Sequence, residues 1–134
     1  MINENQIDQI VEELIKKQYV ECIINGELLV LRFSEGFNKL HITASVFDGG
    51  NYIPESVRRG VKAKSLFPRC NIQTFFTLDE KKFQVVLNFS TNMDEGFGEF
   101  SEWINDFIWI AKEWRFLLDR YGQEDLVFVY ASKN

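Results

Sequence analysis

A tight turn between two alternating segments constrains the fold of this chain more than any other feature. From Tyr19 to Ile24 the side chains follow a period of two, and Asn25-Gly26 comes directly after them. Alternation is typical of a strand, and Asn-Gly is the favoured pair for a two-residue type I′ hairpin loop. The sequence therefore predicts an antiparallel hairpin. Its paired residues are Ile24 with Glu27, Cys22 with Leu29, and Val20 with Leu31.

Three further segments show the same alternation. Residues 40–46 predict a third strand, which places His41 on the face opposite its apolar side chains. Residues 72–78 and 83–89 predict a second hairpin in which Leu78 pairs with Phe83. This register puts the alternating, mostly apolar side chains of both strands on one face, as burial of one face of a sheet requires. They are Ile72, Thr74, Phe76, Leu78, Phe83, Val85, Leu87 and Phe89. The chain should thus form an antiparallel sheet of about five strands.

Two segments have helical periodicity. The first follows a cap at Asn3 or Asn5, and the second is a long helix that begins near residues 93–98 and ends at Tyr121, with Gly122 as its stop signal. The apolar stripe of the long helix is wide enough to cover a sheet. The apolar face of the first helix consists of Ile7, Ile10, Val11, Leu14 and Ile15.

Two other segments are less regular. Residues 54–69 predict a short or imperfect helix, because Gly60 weakens helical structure there. Residues 125–131 read as a strand that adds to a sheet edge or crosses a helix. With 134 residues the chain is of single-domain size. We expect one α+β domain over residues 1–134, with the order helix-β-β-β-helix-β-β-helix.

Composition and patterning argue against membrane, metal and redox proteins. No apolar run approaches the ~20 residues of a membrane helix, and the first ten residues lack the basic-then-apolar order of a signal peptide. We therefore expect a cytosolic protein. Two cysteines and one histidine are too few for a disulfide framework or a four-ligand zinc site.

No local group of residues supplies a nucleophile with its base. His41 reads as a surface strand residue, and Cys22 and Cys70 as packing thiols. The glycines around Phe97 lack the Lys-Ser/Thr of a phosphate loop. The sequence thus predicts a protein that is not an enzyme and that holds no cofactor.

Charge is unevenly distributed along the chain. The formal net charge is −5, which disfavours nucleic acid and anionic lipid as partners. Residues 94–125 contain nine acids and three basic residues, whereas residues 56–71 contain five basic residues and no acid. We interpret this basic stretch as a protein contact or a solvated loop. Its basic residues are Arg58, Arg59, Lys62, Lys64 and Arg69.

Two aromatic residues of the long helix lie outside its apolar stripe. Trp109 and Phe116 are one heptad apart on a side that is otherwise polar. Single exposed aromatics are ordinary, but two at this spacing indicate a ridge that docks a partner. The alternative is that the segment 126–130 covers both rings.

Four segments together carry a resemblance to a known family. They are the hairpin at residues 22–33, the strand at 40–47, the hairpin NIQTFFTLDEKKFQVVLNFS at 71–90, and the helix FSEWINDFIWIAKEWRFLLD at 100–119. Over about residues 5–121, this arrangement resembles class I type III secretion chaperones of the Tir-chaperone type.

This resemblance implies a protein without chemistry of its own. Chaperones of this kind bind the N-terminal region of one secreted effector as an extended chain over apolar grooves, and keep it competent for export. Exposed strand edges and alternating pockets suit such binding. The candidate groove residues are Ile10, Leu14, Val20, Ile23, Leu28 and Val30.

The basic stretch departs from the family, whose middle helix is commonly an apolar dimerisation element. Like charges around Arg58, Arg59 and Lys62 would repel each other in a symmetric contact. The resemblance then favours a heterodimer with a different chaperone subunit, as in the chlamydial chaperones of gatekeeper effectors. A homodimer through other surfaces stays open.

A second interpretation comes from a different class of protein. Some chaperones of this type couple secretion to gene expression. The acidic long helix, with its ridge of Trp109 and Phe116, would then bind a basic and apolar site on a sigma factor, RNA polymerase or an activator. The chain would act as a regulatory adaptor.

Overall fold

The computed structural model describes residues 3–62 and 72–133, with side chains in residues 3–62 and 72–123. The order of elements is the predicted one, and the α+β class is confirmed. The elements are α1 (Glu4–Lys17), β1 (Tyr19–Ile24), β2 (Glu27–Ser34), β3 (Lys39–Asp48), α2 (Glu55–Gly60), β4 (Thr74–Asp79), β5 (Gln84–Asn92) and α3 (Phe100–Lys133).

The five strands form one antiparallel sheet in the order β1-β2-β3-β5-β4, so that β1 and β4 are its edges. Both long helices pack on the same face, where Leu14 of α1 and Phe107 of α3 join a single apolar core. The opposite face carries Ile23, Leu28 and Phe75, which are 70%, 54% and 48% exposed. No described element covers that face.

The first hairpin has the predicted register at every pair. Asn25 and Gly26 adopt φ values of 51° and 82°, as a type I′ loop requires. The Phe33 N–H donates to the Gln18 carbonyl at 3.1 Å, which extends the ladder beyond the end of β1.

The second hairpin pairs in a different register from the predicted one. Leu78 lies opposite Val85 instead of Phe83. The Asp79 carboxylate accepts the N–H groups of Lys81 and Lys82 at 3.1 and 3.0 Å, and Phe83 has a φ of 57°, so Phe83 belongs to the turn. A shift of two residues keeps each side chain on its predicted face, since the period of a strand is two.

The helix α1 begins as predicted at an asparagine cap. Asn3 accepts the Gln6 N–H at 2.9 Å, and the Gln6 side chain completes a capping box. Its predicted apolar face packs on the sheet except for Ile15, which is 57% exposed.

The predicted end of the long helix is wrong. α3 continues past Gly122 to Lys133, so the predicted strand at residues 125–131 is helical instead. A Cβ at Gly122 would lie 3.3 Å from the Phe47 ring, so this glycine permits close packing of the helix on β3. One interior glycine costs a helix only about 1 kcal/mol, which is too little to end it. The side chains of residues 126–130, proposed to cover Trp109 and Phe116, lie outside the described ones.

The middle helix is short, as predicted, and it packs on α3. Val57 is buried, and the Ser56 hydroxyl donates to the Tyr121 carbonyl at 2.7 Å. Gly60 lies against the Tyr121 ring, where a Cβ would approach to 2.7 Å. Within the described part of the chain, none of the helices is long and apolar enough to cross a membrane.

Candidate functional site

Among the described residues, none pairs with the outer side of the edge strand β1, so backbone groups of this strand face the surface. The two-residue loop makes Ile24 and Glu27 a hydrogen-bonded pair. From there, non-hydrogen-bonded and hydrogen-bonded pairs alternate along the ladder. The bond between Phe33 and Gln18 fits this alternation. The N–H and C=O groups that point away from β2 therefore belong to Tyr19, Glu21 and Ile23.

Apolar side chains lie beside this edge on the uncovered face of the sheet. Ile23 faces Leu28 across the strand pair, and both are more than half exposed. Val30 is half-buried next to them. We call these three residues the edge patch. An exposed edge strand next to exposed apolar side chains is a template for strand addition.

Polar contacts order the start of the same strand. The Tyr19 hydroxyl donates a hydrogen bond to the Glu21 carboxylate, and this bond raises the pKa of Tyr19 above its ordinary value. The guanidinium of Arg32 lies 5.5 Å from the centre of the Tyr19 ring. Tyr19 and Glu21 are alternate, exposed residues of β1, so their side chains lie on the same face of the sheet.

A cleft of about 220 Å³ lies on the helix side of β1, between this strand and α1. Ile10 and Val20 contribute apolar lining, whereas Gln9 and Glu13 of α1 are polar. Cys22 also lines the cleft, and burial, followed by the charge of Glu13, raises the pKa of its thiol. A raised pKa lowers the fraction of reactive thiolate, and Cys22 packs against the core as a partly buried side chain.

The predicted apolar groove needs correction at three of its six residues. Ile10, Leu14 and Val20 belong to the core and are 8%, 0% and 4% exposed. Leu14 is therefore inaccessible to a partner, and the other two form only the floor of the cleft. Periodicity correctly identified the apolar faces of α1 and β1, but these two faces pack against each other instead of lining an open groove. Partner binding by Ile23, Leu28 and Val30 stays a prediction.

Arg58 of the basic stretch is used within the molecule. Its guanidinium donates to both carboxylate oxygens of Glu80, at 2.7 and 2.9 Å, and lowers the pKa of that carboxyl. Its Nε donates to the Ile53 carbonyl at 3.2 Å. Arg58 thus ties α2 to the turn between β4 and β5, and its predicted role as a partner contact stays a prediction.

The other basic residues remain candidates for an external contact. Arg59 and Lys62 are exposed at the end of α2. Lys64, Arg69 and Cys70 lie outside the described residues. The pairing of Arg58 with Glu80 joins residues 22 positions apart, so no local pattern in the sequence could reveal it.

The predicted ridge lies on the side of α3 that faces away from the sheet. Trp109 is 44% exposed and Phe116 is 61% exposed, whereas Trp114 between them is buried. The Arg120 guanidinium lies 5.9 Å from the centre of the Phe116 ring. The ridge is therefore an accessible surface, and its use in docking stays a prediction.

A buried polar residue that the sequence analysis missed organises the uncovered face. Asn88 is 4% exposed, and its side-chain nitrogen donates to Thr77 Oγ1 at 3.1 Å. Its Oδ1 lies 3.0 Å from His41 Nε2, so this ring nitrogen carries the shared proton. His41 therefore has a structural partner. Among the described side chains, no three His, Cys, Asp or Glu residues come together as a metal site needs.

Comparison with known proteins identifies the fold. No protein-family model and no curated protein sequence matches the chain. A solved complex of the chaperone SchA with the effector HopA1 aligns with a TM-score of 0.56 and 18% identity, over 73% of this chain and 75% of that chain. The chain has the fold of a type III secretion chaperone. The ExsC–ExsE complex aligns with a TM-score of 0.62 and 15% identity, over 88% of this chain and 97% of that chain.

Proposed function

We propose that the protein is a type III secretion chaperone that binds the N-terminal region of a secreted effector as an extended segment. The observation that carries this proposal is the edge of β1, where three residues direct backbone groups outwards beside the edge patch. The shared fold with SchA, seen in a chaperone–effector complex, supports the same function.

Strand addition gives such binding both affinity and selectivity. An added strand gains main-chain hydrogen bonds from Tyr19, Glu21 and Ile23, and its alternate side chains point to the two faces of the sheet. One set would lie beside the edge patch, and the other would enter the cleft under α1. This function needs no catalytic group and no cofactor, and we place it in the cytosol.

The outward N–H of Glu21 offers a direct test. Proline at this position removes the N–H without breaking a bond to β2, and edge strands tolerate proline where the N–H faces solvent. The Glu21→Ala variant removes the same side chain but keeps the N–H. We expect Glu21→Ala to recover a secreted protein from a native lysate, and Glu21→Pro to recover at least tenfold less of it.

Equal recovery by the two variants would contradict strand addition at β1. Thermal unfolding of each variant controls for folding. A further variant, Leu28→Ser in the edge patch, keeps every backbone group. It should weaken recovery of the secreted protein through loss of apolar contact alone.

We also propose that a different chaperone subunit completes the functional unit. Arg59 and Lys62 place exposed positive charge at the end of α2, and an identical surface would repel it. Native mass spectrometry should show the purified chain as a monomer that pairs with a small acidic protein. Arg59→Glu should weaken that pair most at low salt. A stable homodimer at all salt concentrations would contradict this proposal.

A second candidate function is that of a regulatory adaptor, favoured by the exposure of Phe116 on the acidic helix α3. In this case the same capture experiment recovers polymerase subunits or a transcription factor, and Phe116→Ala abolishes that recovery. Recovery of a secreted protein that depends on β1 and not on Phe116 supports the chaperone function instead.

A further inference from the structure

A small cavity lies where the second half of α3 passes the end of β3. Its volume is about 280 Å³. Apolar surface comes from Phe47, Tyr52 and Pro54 together with the backbone at Gly122, and the polar lining is Asp48, Asp119 and Gln123. β3 is two strands away from the β1 edge, so this cavity is separate from the site of the proposed function.

Backbone features fix the shape of this cavity. A bulge between Ser45 and Phe47 turns the Phe47 side chain towards the core side, next to Val46. Gly49 fits tightly into the following loop, because a Cβ there would clash with the Tyr52 carbonyl oxygen. The Gly49 N–H also donates to the Phe83 carbonyl at 2.8 Å. The wall that carries Tyr52 is therefore preformed.

The mouth of the cavity is negatively charged. Asp48 Oδ1 accepts the Gly50 N–H at 2.9 Å, and its Oδ2 accepts from the Gln84 side chain at 3.3 Å. Asp119 is exposed. Among the described side chains, neither carboxylate forms an ion pair with a basic residue. Two uncompensated negative charges thus lie above an apolar floor.

Size and charge together select the occupant. Pockets for drug-sized ligands and cofactors usually measure about 300–1,000 Å³, so a cavity of about 280 Å³ lies at the lower limit of that range and has room for side chains of a short peptide. The acidic mouth repels nucleic acid and anionic lipid, and it attracts a guanidinium or ammonium group. Tyr52, which is 48% exposed, offers a ring face to a cation or an apolar chain.

We propose that this cavity docks a linear peptide segment of a partner protein in which an apolar side chain is adjacent to Arg or Lys. The apolar side chain packs on Phe47 and Tyr52, and the basic group pairs with Asp48 and Asp119. The cavity thus provides a second peptide contact, which goes beyond the proposed function and does not depend on strand addition at β1.

The probe for this site is a capped peptide, acetyl-Gly-Arg-Phe-Gly-amide, titrated into the ¹⁵N-labelled full chain and followed by NMR. We expect saturable shifts at the backbone amides of Asp48, Gly49, Tyr52 and Gln123. The matched peptide acetyl-Gly-Glu-Phe-Gly-amide should bind at least fivefold more weakly, because its charge is repelled at the mouth.

Charge reversal at the mouth of the cavity is the second test. Asp119→Lys should weaken binding of the arginine peptide at least fivefold. Glu102→Lys reverses an exposed carboxylate on the same helix, roughly 25 Å away at 1.5 Å per residue, and should leave binding unchanged.

Three results of the peptide titrations would overturn the proposal. These are equal binding of the two peptides, shifts that neither saturate nor centre on these amides, and insensitivity to Asp119→Lys. Shifts of the same amides that depend on protein concentration without peptide would show that a second copy fills the cavity, which also overturns it. The Glu21→Pro experiment tests a different surface, so a negative result with the peptides would not contradict the chaperone proposal.

Discussion

Arg115 connects α3 to the hairpin that carries the candidate binding edge. Its Nη2 donates to Glu27 Oε2 at 2.6 Å and to the Ser45 carbonyl at 2.7 Å. The Glu27 side chain is only 5% exposed, and a buried carboxylate is stable only when it is paired. A single residue of α3 therefore holds the start of β2 and the bulge of β3 in place.

Truncation of this side chain should destabilise the fold. Arg115→Ala leaves the Glu27 carboxylate buried without its partner, and we expect it to lower the free energy of unfolding by about 2 kcal/mol in urea denaturation. Lys112→Ala removes an exposed cation from the same helix and should change it by no more than about 0.5 kcal/mol. Equal effects of the two substitutions would show that the Arg115 contact contributes nothing to stability.

Truncation of the exposed ridge residues, in contrast to that of Arg115, should change the stability of the fold only slightly. Trp109→Ala and Phe116→Ala should each lower the free energy of unfolding by no more than about 1 kcal/mol, whereas Trp114→Ala in the core should cost about 3–5 kcal/mol. Chemical denaturation compares the three. A loss at Phe116 as large as the loss at Trp114 would mean that its ring is covered in solution.

Among the helices, strands and turns, the sequence predicted those whose cause is local. The Asn25-Gly26 loop permits one register, and the observed pairs of β1 and β2 follow it. The turn after Asp79 has no such pair, so its register depends on the Asx contacts and on the left-handed Phe83, which alternation does not reveal. Gly122 resembles a stop signal, but its role is contact with Phe47, a residue far away in sequence.

The candidate site was predictable only in part for a related reason. Alternation assigns Val20 and Ile23 to opposite faces of β1. It does not tell which of these faces α1 covers, because that depends on how the helix packs. Three of the six groove candidates therefore lie in the core.

The loop of the first hairpin can be tested with a matched pair of glycines. Gly26 has a φ of 82°, whereas Gly36 has no positive φ, and a Cβ added at Gly36 would meet no heavy atom within 4 Å. Gly26→Ala should therefore cost about 1–2 kcal/mol of unfolding free energy, whereas Gly36→Ala should stay within about 0.5 kcal/mol. Thermal or urea unfolding measures both. A neutral Gly26→Ala would contradict the type I′ loop.

In the part of the chain that the structure describes, the long helices cover only one face of the sheet. The described residues leave the other face open, with Ile23, Leu28 and Phe75 exposed on it. Exposed apolar side chains next to an unpaired edge are typical of a surface that binds another polypeptide. In addition, the net charge of −5 favours a basic or apolar partner.

We claim that another polypeptide pairs with the edge of β1. Amide hydrogen exchange in the purified complex of the chain with its secreted partner tests this pairing. We expect the N–H groups of Tyr19, Glu21 and Ile23 to exchange rapidly in the free chain and to become strongly protected in the complex. Unchanged exchange at these three amides, in a complex that forms and protects residues elsewhere, would contradict the claim.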